Sequence, residues 1–333
     1  MVAPKTYRIL ALSGGGVRGL VTAVWLNRLE QKLGAPIGQF FDLIAGTSAG
    51  SLTACALASG MRTEAIISLY RDRSQDIFPL PPARLWSRFL RFFSQGFDAP
   101  RYDAKGLESV LRGVFGDRRF GELQVPTLIT SYNLASREAL VFKTMKTSND
   151  PANDTYTKYN HIPIWEICKA SSSAPVYFPA HLTEIEGRRV PLIDGGVVAN
   201  NPTACAIAEA VRINDSQPDA LKIGLDQFIV ASFGTGEPTR LISLQNSQTW
   251  GALAWVLPLI DVLFDGSADS VDYIARQILS ETKYFRFQTP LDKAFDSIDR
   301  SDSENLNALI RVAQDYLARE GDALLDKLVA AIQ

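Results

Sequence analysis

The chain has 333 residues, of which 46% are hydrophobic, and a formal net charge of −2 at pH 7. This length and composition predict a globular protein that can bury a full core, as one large domain or two small ones. The balanced charge gives no sign of the concentrated basic surface that nucleic-acid-binding proteins carry. We therefore expect no nucleic acid among the partners.

A short apolar run at residues 7–13 predicts a first strand, which leads directly into the glycine-rich loop 14–19. Apolar residues then recur at helical spacing from Leu20 to Leu33, and Gly34 supplies a stop signal, so a helix follows the loop. The consecutive backbone N–H groups of such a loop converge beside a helix N-terminus and suit an anion. An oxyanion formed during acyl transfer is one such anion.

The same loop also satisfies the G-x-G-x-x-G pattern of dinucleotide-binding folds. That pattern needs an acid at the end of the second strand to bind the ribose hydroxyls. The nearest acid, Asp42, precedes the second strand, and a serine turn occupies the far end of that strand. Nucleotide binding through loop 14–19 therefore stays as a less favoured alternative.

The second strand, at residues 43–45, runs straight into the sequence G-T-S-A-G at residues 46–50, and small apolar residues compatible with a helix follow. Strand, tight turn and helix, in this order, form a nucleophile elbow. A serine at the apex has strained backbone angles, and glycines two residues before and after it let strand and helix pack closely. Ser48 is therefore the candidate nucleophile, with Gly46 and Gly50 as the elbow glycines.

A basic and aromatic stretch lies within residues 77–100. On a helix its apolar side chains share one side and three arginines take the other, which is typical of a helix in a membrane interface. The same stripe suits a lid over a lipid-binding cleft, and an ordinary surface helix packed on the core is an equal alternative. The apolar residues of this stripe are Leu85, Trp86, Phe89, Leu90 and Phe93.

The alternation of strands and helices over residues 7–236 favours one domain built on a mostly parallel sheet flanked by helices. Further helices are predicted at residues 61–76, 102–115 and 164–173, and further strands at 127–133, 139–142 and 228–236. Residues 237–333 predict a mainly helical extension packed on the same domain. Its elements are helices at 270–281, 305–319 and 322–332 and a strand at 284–287.

Another apolar strand ends in Asp194, and Gly195 and Gly196 follow at once. A carboxylate is thereby placed at a strand end, where active sites of open α/β sheets lie. An Asp-Gly pair also starts turns in hairpins, so this pattern alone leaves a purely structural role open.

A serine nucleophile needs a base, and the usual base is a histidine held by an acid. The chain has two histidines. His161 lies in a polar loop, and His181 has neither an acid nor a glycine turn beside it. Because Asp194 has the strand-end setting that both histidines lack, the pattern favours a dyad of Ser48 and Asp194 over a triad.

Three motifs in this order resemble those of the patatin-like phospholipase family, in its bacterial form: G-G-G-V-R-G at 14–19, G-T-S-A-G at 46–50 and D-G-G at 194–196. The blocks at residues 170–175, 178–179 and 201–202 are also similar to that family. The resemblance covers about residues 8–236. It implies a three-layer α/β sandwich around a mostly parallel sheet, a Ser-Asp dyad without a catalytic histidine, and no metal or other cofactor.

The resemblance also implies a serine lipid acyl hydrolase that cleaves fatty acyl esters of membrane glycerolipids, as a phospholipase A or galactolipase. Asp194 would deprotonate Ser48, and an acyl-enzyme intermediate would form on Ser48. The expected oxyanion hole consists of backbone N–H groups of Gly14, Gly15, Gly16 and Val17. Arg18 would brace this loop or contact a lipid phosphate.

An effector whose lipase activity needs a small ligand or a protein activator would carry the same motifs, so it remains the main alternative. The sequence contains no uncharged apolar run of roughly 18 residues, the length of a membrane span. Residues 1–8 hold no signal-peptide core, and three widely spaced cysteines suit free thiols in a reducing compartment. We therefore expect a cytoplasmic protein that contacts membrane lipids peripherally, with its oligomeric state left open.

Overall fold

Strands and helices form three layers in the computed structural model, which describes residues 6–80, 99–144, 158–240 and 242–333. The described residues contain an eight-stranded sheet in the order β5-β6-β3-β2-β1-β7-β8, with β4 also paired to β3. The strands are β1 (Tyr7–Leu12), β2 (Leu43–Thr47), β3 (Thr127–Asn133), β4 (Glu138–Lys143), β5 (His181–Ile185), β6 (Arg188–Asp194), β7 (Phe228–Phe233) and β8 (Tyr284–Phe287).

The middle of the sheet is parallel, from β3 through β2, β1 and β7 to β8. Strands β4, β5 and β6 join antiparallel at one side. The parallel strands β2 and β7 are buried along their whole lengths, which explains their nearly continuous apolar sequences. This topology confirms the predicted α/β class with a mostly parallel central sheet.

Helices cover both faces of the sheet. They are α1 (Gly19–Leu33), α2 (Ala49–Ala58), α3 (Thr63–Ile77), α4 (Lys105–Phe115), α5 (Ile164–Ser171), α6 (Gly196–Ala199), α7 (Thr203–Asp215), α8 (Leu244–Thr249), α9 (Ala252–Ile278), α10 (Ser303–Tyr316) and α11 (Asp322–Ile332). Neighbouring strand residues such as Ile9 and Leu10 belong to different buried clusters, because successive side chains point to opposite faces. The two clusters are the two apolar layers between sheet and helices.

The ends of two strands meet on one edge of β3. Thr47, the last residue of β2, pairs with Thr130, while Asp194, the last residue of β6, pairs with Ser131. Because β2 runs parallel to β3 and β6 runs antiparallel to it, the two strands approach each other end to end. The topology therefore brings the residue after β2, Ser48, next to the end of β6.

Residues 237–333 share the sheet and the core with the rest of the chain. Strand β8 extends the parallel sheet beyond β7. Helix α10 packs against α1, where the Trp25 and Tyr316 rings lie 4.8 Å apart and the Trp25 Nε1–H donates to the Ala313 carbonyl. The C-terminal residues are therefore part of the same folded unit.

Several elements differ from the sequence-based expectation: helices α6, α7 and α8 and strand β5 were not predicted, and helix α9 is longer than expected. Helix α9 begins at Ala252 instead of near residue 270 and continues through Pro258. Proline in a helix interior is unfavourable, but the buried side chains Ile260 and Phe264 on the same helix supply compensating apolar packing. Strand β5 was not predicted, because its alternation of buried and exposed residues is short and begins with a histidine.

Among the described residues, no helix combines the length and the apolar character needed to cross a bilayer. The predicted amphipathic stripe falls outside the described residues, with all of its apolar side chains: Leu85, Trp86, Phe89, Leu90 and Phe93.

Candidate active site

Ser48 occupies the apex of a sharp turn between β2 and α2. Its φ of 52° and ψ of −125° are strained for a residue with a side chain. A Cβ at Gly46 would lie 2.4 Å from the Gly50 carbonyl oxygen, and one at Gly50 would lie 2.2 Å from the Leu12 carbonyl oxygen. Only glycine fits at either position, so both glycines are required for the turn that exposes the serine hydroxyl.

The Ser48 hydroxyl donates a 2.7 Å hydrogen bond to Asp194 Oδ2. The other carboxylate oxygen, Oδ1, accepts a 2.7 Å hydrogen bond from the Gly196 N–H, which fixes its orientation. The Asp194 side chain is fully buried, and this burial raises its pKa to about 7, although the hydrogen bonds from Gly196 and Ser48 oppose the rise. A carboxylate with a pKa near neutrality is well matched to accepting a proton from a hydroxyl.

Gly195 allows the end of β6 to pack closely against β3. A Cβ at Gly195 would lie 2.4 Å from the Thr130 carbonyl oxygen, and one at Gly196 would lie 2.9 Å from the Phe264 ring of α9. The two glycines after Asp194 are thus required by close packing on both sides.

Two serines at the C-terminal end of helix α5, Ser171 in its last turn and Ser173 just beyond it, hold the pair in place. The Ser48 N–H donates to Ser171 Oγ at 2.9 Å, and the Gly195 N–H donates to the Ser171 carbonyl at 3.2 Å. The Asp194 N–H donates to the Ser173 carbonyl at 3.0 Å. Sequence reasoning assigned these serines no role, although they lie in a block that resembles the family, because their partners are distant in sequence.

The four N–H groups predicted for the oxyanion hole divide into two pairs. The Gly14 N–H donates to the Asn200 carbonyl at 3.0 Å, and the Val17 N–H donates to the Ile298 carbonyl at 2.9 Å. Within residues 6–80 and the other described ranges, the Gly15 and Gly16 N–H groups have no acceptor. Among the described residues, Gly15 and Gly16 therefore keep N–H groups that are free to bind an oxyanion, whereas the N–H groups of Gly14 and Val17 are engaged by main-chain carbonyls.

Residues far along the chain enclose this loop. Gly16 has a φ of +57°, and a Cβ there would lie 2.1 Å from the Ile298 carbonyl oxygen. A Cβ at Gly15 would lie 2.2 Å from Thr235 Oγ1. Sequence reasoning missed Ile298 and Thr235, because neither belongs to a motif and only the folded chain brings them to the loop.

Arg18 is buried, with 3% of its surface exposed, and its Nε has no hydrogen-bond partner among the described residues. The side chain lines two cavities, of about 330 and 460 Å³. Asp265 lines both cavities, and Asp261 lines the larger one. Burial raises the pKa of Asp261 to about 6, and the positive charge of Arg18 opposes that rise.

An apolar cleft opens beside Ser48. Phe78 and Phe178 line it, and their rings contact each other and the Tyr102 ring, with centroids 5.4 to 5.7 Å apart. Its open volume is about 60 Å³, room for a few water molecules, so a long acyl chain requires these side chains to move apart. Lining residues include Gly16, Ala49, Leu52, Leu107, Leu111, Tyr177 and Ile298.

Neither histidine lines this cleft. His161 is exposed. His181 begins β5, and its Nε2 lies 3.7 Å from a Glu166 carboxylate oxygen.

The fold and this site define an α/β protein with a serine elbow facing a buried carboxylate. Residues 10–207 match the family model described as patatin-like phospholipase, which spans more than half of the chain. The chain belongs to this family, and its membership supports a lipid acyl hydrolase activity.

Two relatives are similar in sequence to this chain over nearly its whole length. Patatin-like protein 2 of Arabidopsis thaliana is 30% identical, over 99% of this chain and 86% of the relative. The cGAMP-activated phospholipase of Pseudomonas aeruginosa is also 30% identical, over 94% of this chain and 85% of the relative. Among solved structures, human GIVD cytosolic phospholipase A2 aligns at 12% identity and a TM-score of 0.44, over 98% of this chain and 63% of that chain.

Proposed function

We propose that this protein is a serine lipid acyl hydrolase that cleaves fatty acyl esters of membrane glycerolipids, with phospholipase A or galactolipase specificity. Asp194 accepts the proton of Ser48 as the serine oxygen attacks the ester carbonyl carbon. The tetrahedral intermediate then collapses, the alcohol of the lipid leaves with a proton from Asp194, and an acyl ester remains on Ser48. Water activated by Asp194 hydrolyses this ester and releases the fatty acid.

The developing oxyanion would be received by backbone N–H groups. Gly15 and Gly16 have unengaged N–H groups among the described residues, and Ala49, the first residue of α2, also lines the cleft beside Ser48. A donor at the residue after the nucleophile is typical of a nucleophile elbow. Each such donor is worth about 3 kcal/mol of transition-state stabilisation, and the positive end of α2 acts at the same point.

The unpartnered Nε of Arg18 leaves a donor for a lipid phosphate, and bracing of the loop through the other guanidinium N–H groups stays the alternative. We do not propose nucleotide binding through the glycine loop. The Asp42 carboxylate accepts the Arg8 N–H at 2.8 Å and pairs with the Arg8 guanidinium at 3.4 Å, so it is engaged with β1.

One observation carries the proposal: a strained serine at a strand end donates a 2.7 Å hydrogen bond to a buried carboxylate beside an apolar cleft. The test is mass spectrometry of products from mixed phospholipids, galactolipids and neutral glycerides, incubated with the wild type and with Ser48→Ala. We expect fatty acid release by the wild type alone. Equal release by both proteins would contradict the proposal.

A second candidate is a lipase of this type that requires an activator. The relative from Pseudomonas aeruginosa is a cGAMP-activated phospholipase by name, which is compatible with such control in this chain. The same product assay, run with and without cyclic dinucleotide, distinguishes the two. Release that depends on the nucleotide would favour the second candidate, and equal release without it would favour a constitutive enzyme.

A further inference from the structure

Helix α9 has three faces along its 27 residues. Ile260, Phe264, Ala268 and Ala275 are buried and face the core. Asp261, Asp265, Asp269 and Asp272 share a second face, since side chains are spaced by about 100° around a helix. The third face is exposed and mostly apolar, with Ser270 and Gln277 as polar members. We call its exposed apolar side chains the outer face of α9: Val256, Leu259, Val262, Leu263, Tyr273, Ile274 and Ile278.

The outer face of α9 is free of charge. The charged residues of the helix are the four aspartates and Arg276, and Arg276 points to the acidic side, where it pairs with Asp272 at 2.8 Å. Leu259 and Leu263 are 47% and 41% exposed although they are large and apolar. Large apolar side chains that are exposed together on one helix face mark an interaction site.

The same helix packs directly against the catalytic region. The Phe264 ring lies against Gly196, and Ser267 Oγ accepts the Asn200 N–H at 3.1 Å. Val262 lines a cavity together with Tyr177, and Tyr177 also lines the acyl cleft. The outer face of α9 therefore borders the part of the molecule where substrate would enter.

We propose that the outer face of α9 docks on a lipid bilayer and presents the cleft to its substrate. The role of this docking in bringing substrate to the cleft rests on the proposed function, but binding to the bilayer does not require catalysis. Trp250 and Trp255 lie at the start of the helix, with their ring centroids 5.4 Å apart. Tryptophan side chains favour the membrane interface. An amphipathic helix that cannot span the bilayer lies in the plane of that interface.

The charge pattern of α9 selects a neutral or zwitterionic bilayer. Its polar face has a row of aspartates where anionic-membrane helices have lysine and arginine. Anionic lipids would therefore repel it, and salt would not release the bound protein. The basic stripe predicted around Arg84, Arg88 and Arg91 implies the opposite, namely preference for anionic lipids and release by salt.

A second copy of the chain is the competing occupant. In an antiparallel two-fold pairing through the outer face, the acidic face of one helix would lie beside the acidic face of the other. Like charges at that distance repel, whereas a zwitterionic lipid surface presents no net charge to the aspartates.

The test measures co-sedimentation with phosphatidylcholine vesicles, on a Ser48→Ala background so that the vesicles stay intact. Replacement of both Leu259 and Leu263 by serine should lower the bound fraction about tenfold or more, since each leucine loses its apolar contact. The matched control replaces Leu221 and Leu225 by serine, because these leucines are similarly exposed, at 49% and 42%, and lie outside α9. We expect the control to bind as the parent does.

Unchanged binding after the Leu259 and Leu263 substitutions, or no binding by the parent, would overturn the proposal. Binding to anionic vesicles alone, abolished by salt, would overturn it in favour of the basic stripe. Light scattering that shows dissociation of a dimer, with vesicle binding unchanged, would identify a second copy as the occupant. A separate assay tests the proposed function: absence of hydrolysis of a dispersed short-chain ester by the protein with Ser48 intact would contradict it. That outcome would leave vesicle binding unaffected.

Discussion

Two regions of the chain meet at the glycine loop 14–19. One is formed by the ends of β2 and β6, and the other by the C-terminal residues. The ends of β2 and β6 supply Ser48 and Asp194, both framed by glycines in recognisable motifs. The C-terminal side supplies a main-chain carbonyl, that of Ile298, which accepts the Val17 N–H and abuts Gly16. The proposed catalytic groups therefore lie in short motifs that require particular residue types. Their support comes from main-chain contacts that are largely independent of side-chain identity.

This difference predicts two kinds of failure. A change at the strand ends should remove chemistry and leave the fold, because the motif side chains contribute reactive groups. A change where the loop meets the C-terminal residues should lower stability together with activity, because that contact is packing of main chain on main chain. The first two of the four predictions below test this distinction directly, and all four run from the largest expected effect to the smallest.

Asp194→Asn should lower kcat/KM at least about a thousandfold, since the amide cannot accept the Ser48 proton. The amide oxygen can still accept the Gly196 N–H, so the fold should remain intact. In the wild type, kcat/KM should rise with pH and level off above about 7, as the base ionises. Stopped assays with a soluble ester between pH 5 and 9 check both points, and near-normal activity of the variant would exclude Asp194 as the base.

Gly16→Ala should destabilise the protein by about 3 kcal/mol or more and impair hydrolysis. The new Cβ would meet the Ile298 carbonyl at 2.1 Å, and the φ of +57° adds strain. Gly34→Ala is the matched control, because Gly34 has a φ of +70° with nothing within 4 Å of a new Cβ. It should cost only about 1 kcal/mol. Urea unfolding measures both, and equal losses would show that contact with Ile298 adds nothing.

Much of the fold, and the positions of the two candidate residues Ser48 and Asp194 at strand ends, could be predicted from sequence because local rules specify them. Buried parallel strands are continuous apolar runs, and an elbow needs glycine at fixed offsets from Ser48. The pairing of Ser48 with Asp194 could be expected only as a resemblance or by elimination of the histidines. Its physical cause is the end-to-end meeting of β2 and β6 on β3, which is a property of sheet topology.

The remainder could not be predicted, because it depends on contacts between residues without local signatures. Ser171 resembles any helix-terminal serine until the fold places it beside Ser48 and Gly195. Proline is unfavourable inside a helix, yet α9 continues through Pro258 because Ile260 and Phe264 on the same helix are buried. Only the folded chain shows that two of the four N–H groups predicted for the oxyanion hole, those of Gly14 and Val17, already donate to main-chain carbonyls.

Asp194→Asn should also change how stability depends on pH. Burial raises the pKa of the folded-state carboxyl from its ordinary 3.8 to about 7, so the folded protein retains a proton that the unfolded chain loses across this window. The contribution of Asp194 to the free energy of unfolding of the wild type therefore falls as pH rises from about 4 to 7. The variant lacks this fall and should be more stable than the wild type at pH 8, by a few kcal/mol. Urea midpoints at pH 4.5 and 8 test this; a pH-independent difference would contradict burial as the cause.

The smallest effect is expected for the two histidines, which lie outside both regions of the comparison. His161 is exposed, and His181 faces Glu166 and packs its ring on Trp165, with centroids 6.1 Å apart. Replacement of both by glutamine should change kcat/KM by no more than about twofold, because a base that never contacts the substrate contributes nothing to proton transfer. Any loss of activity should be accompanied by a lower melting temperature, because the substitution removes the contact between His181 and Trp165. A drop of about a hundredfold or more with an unchanged melting temperature would mean that a histidine reaches Ser48, and the dyad would have to be replaced by a triad.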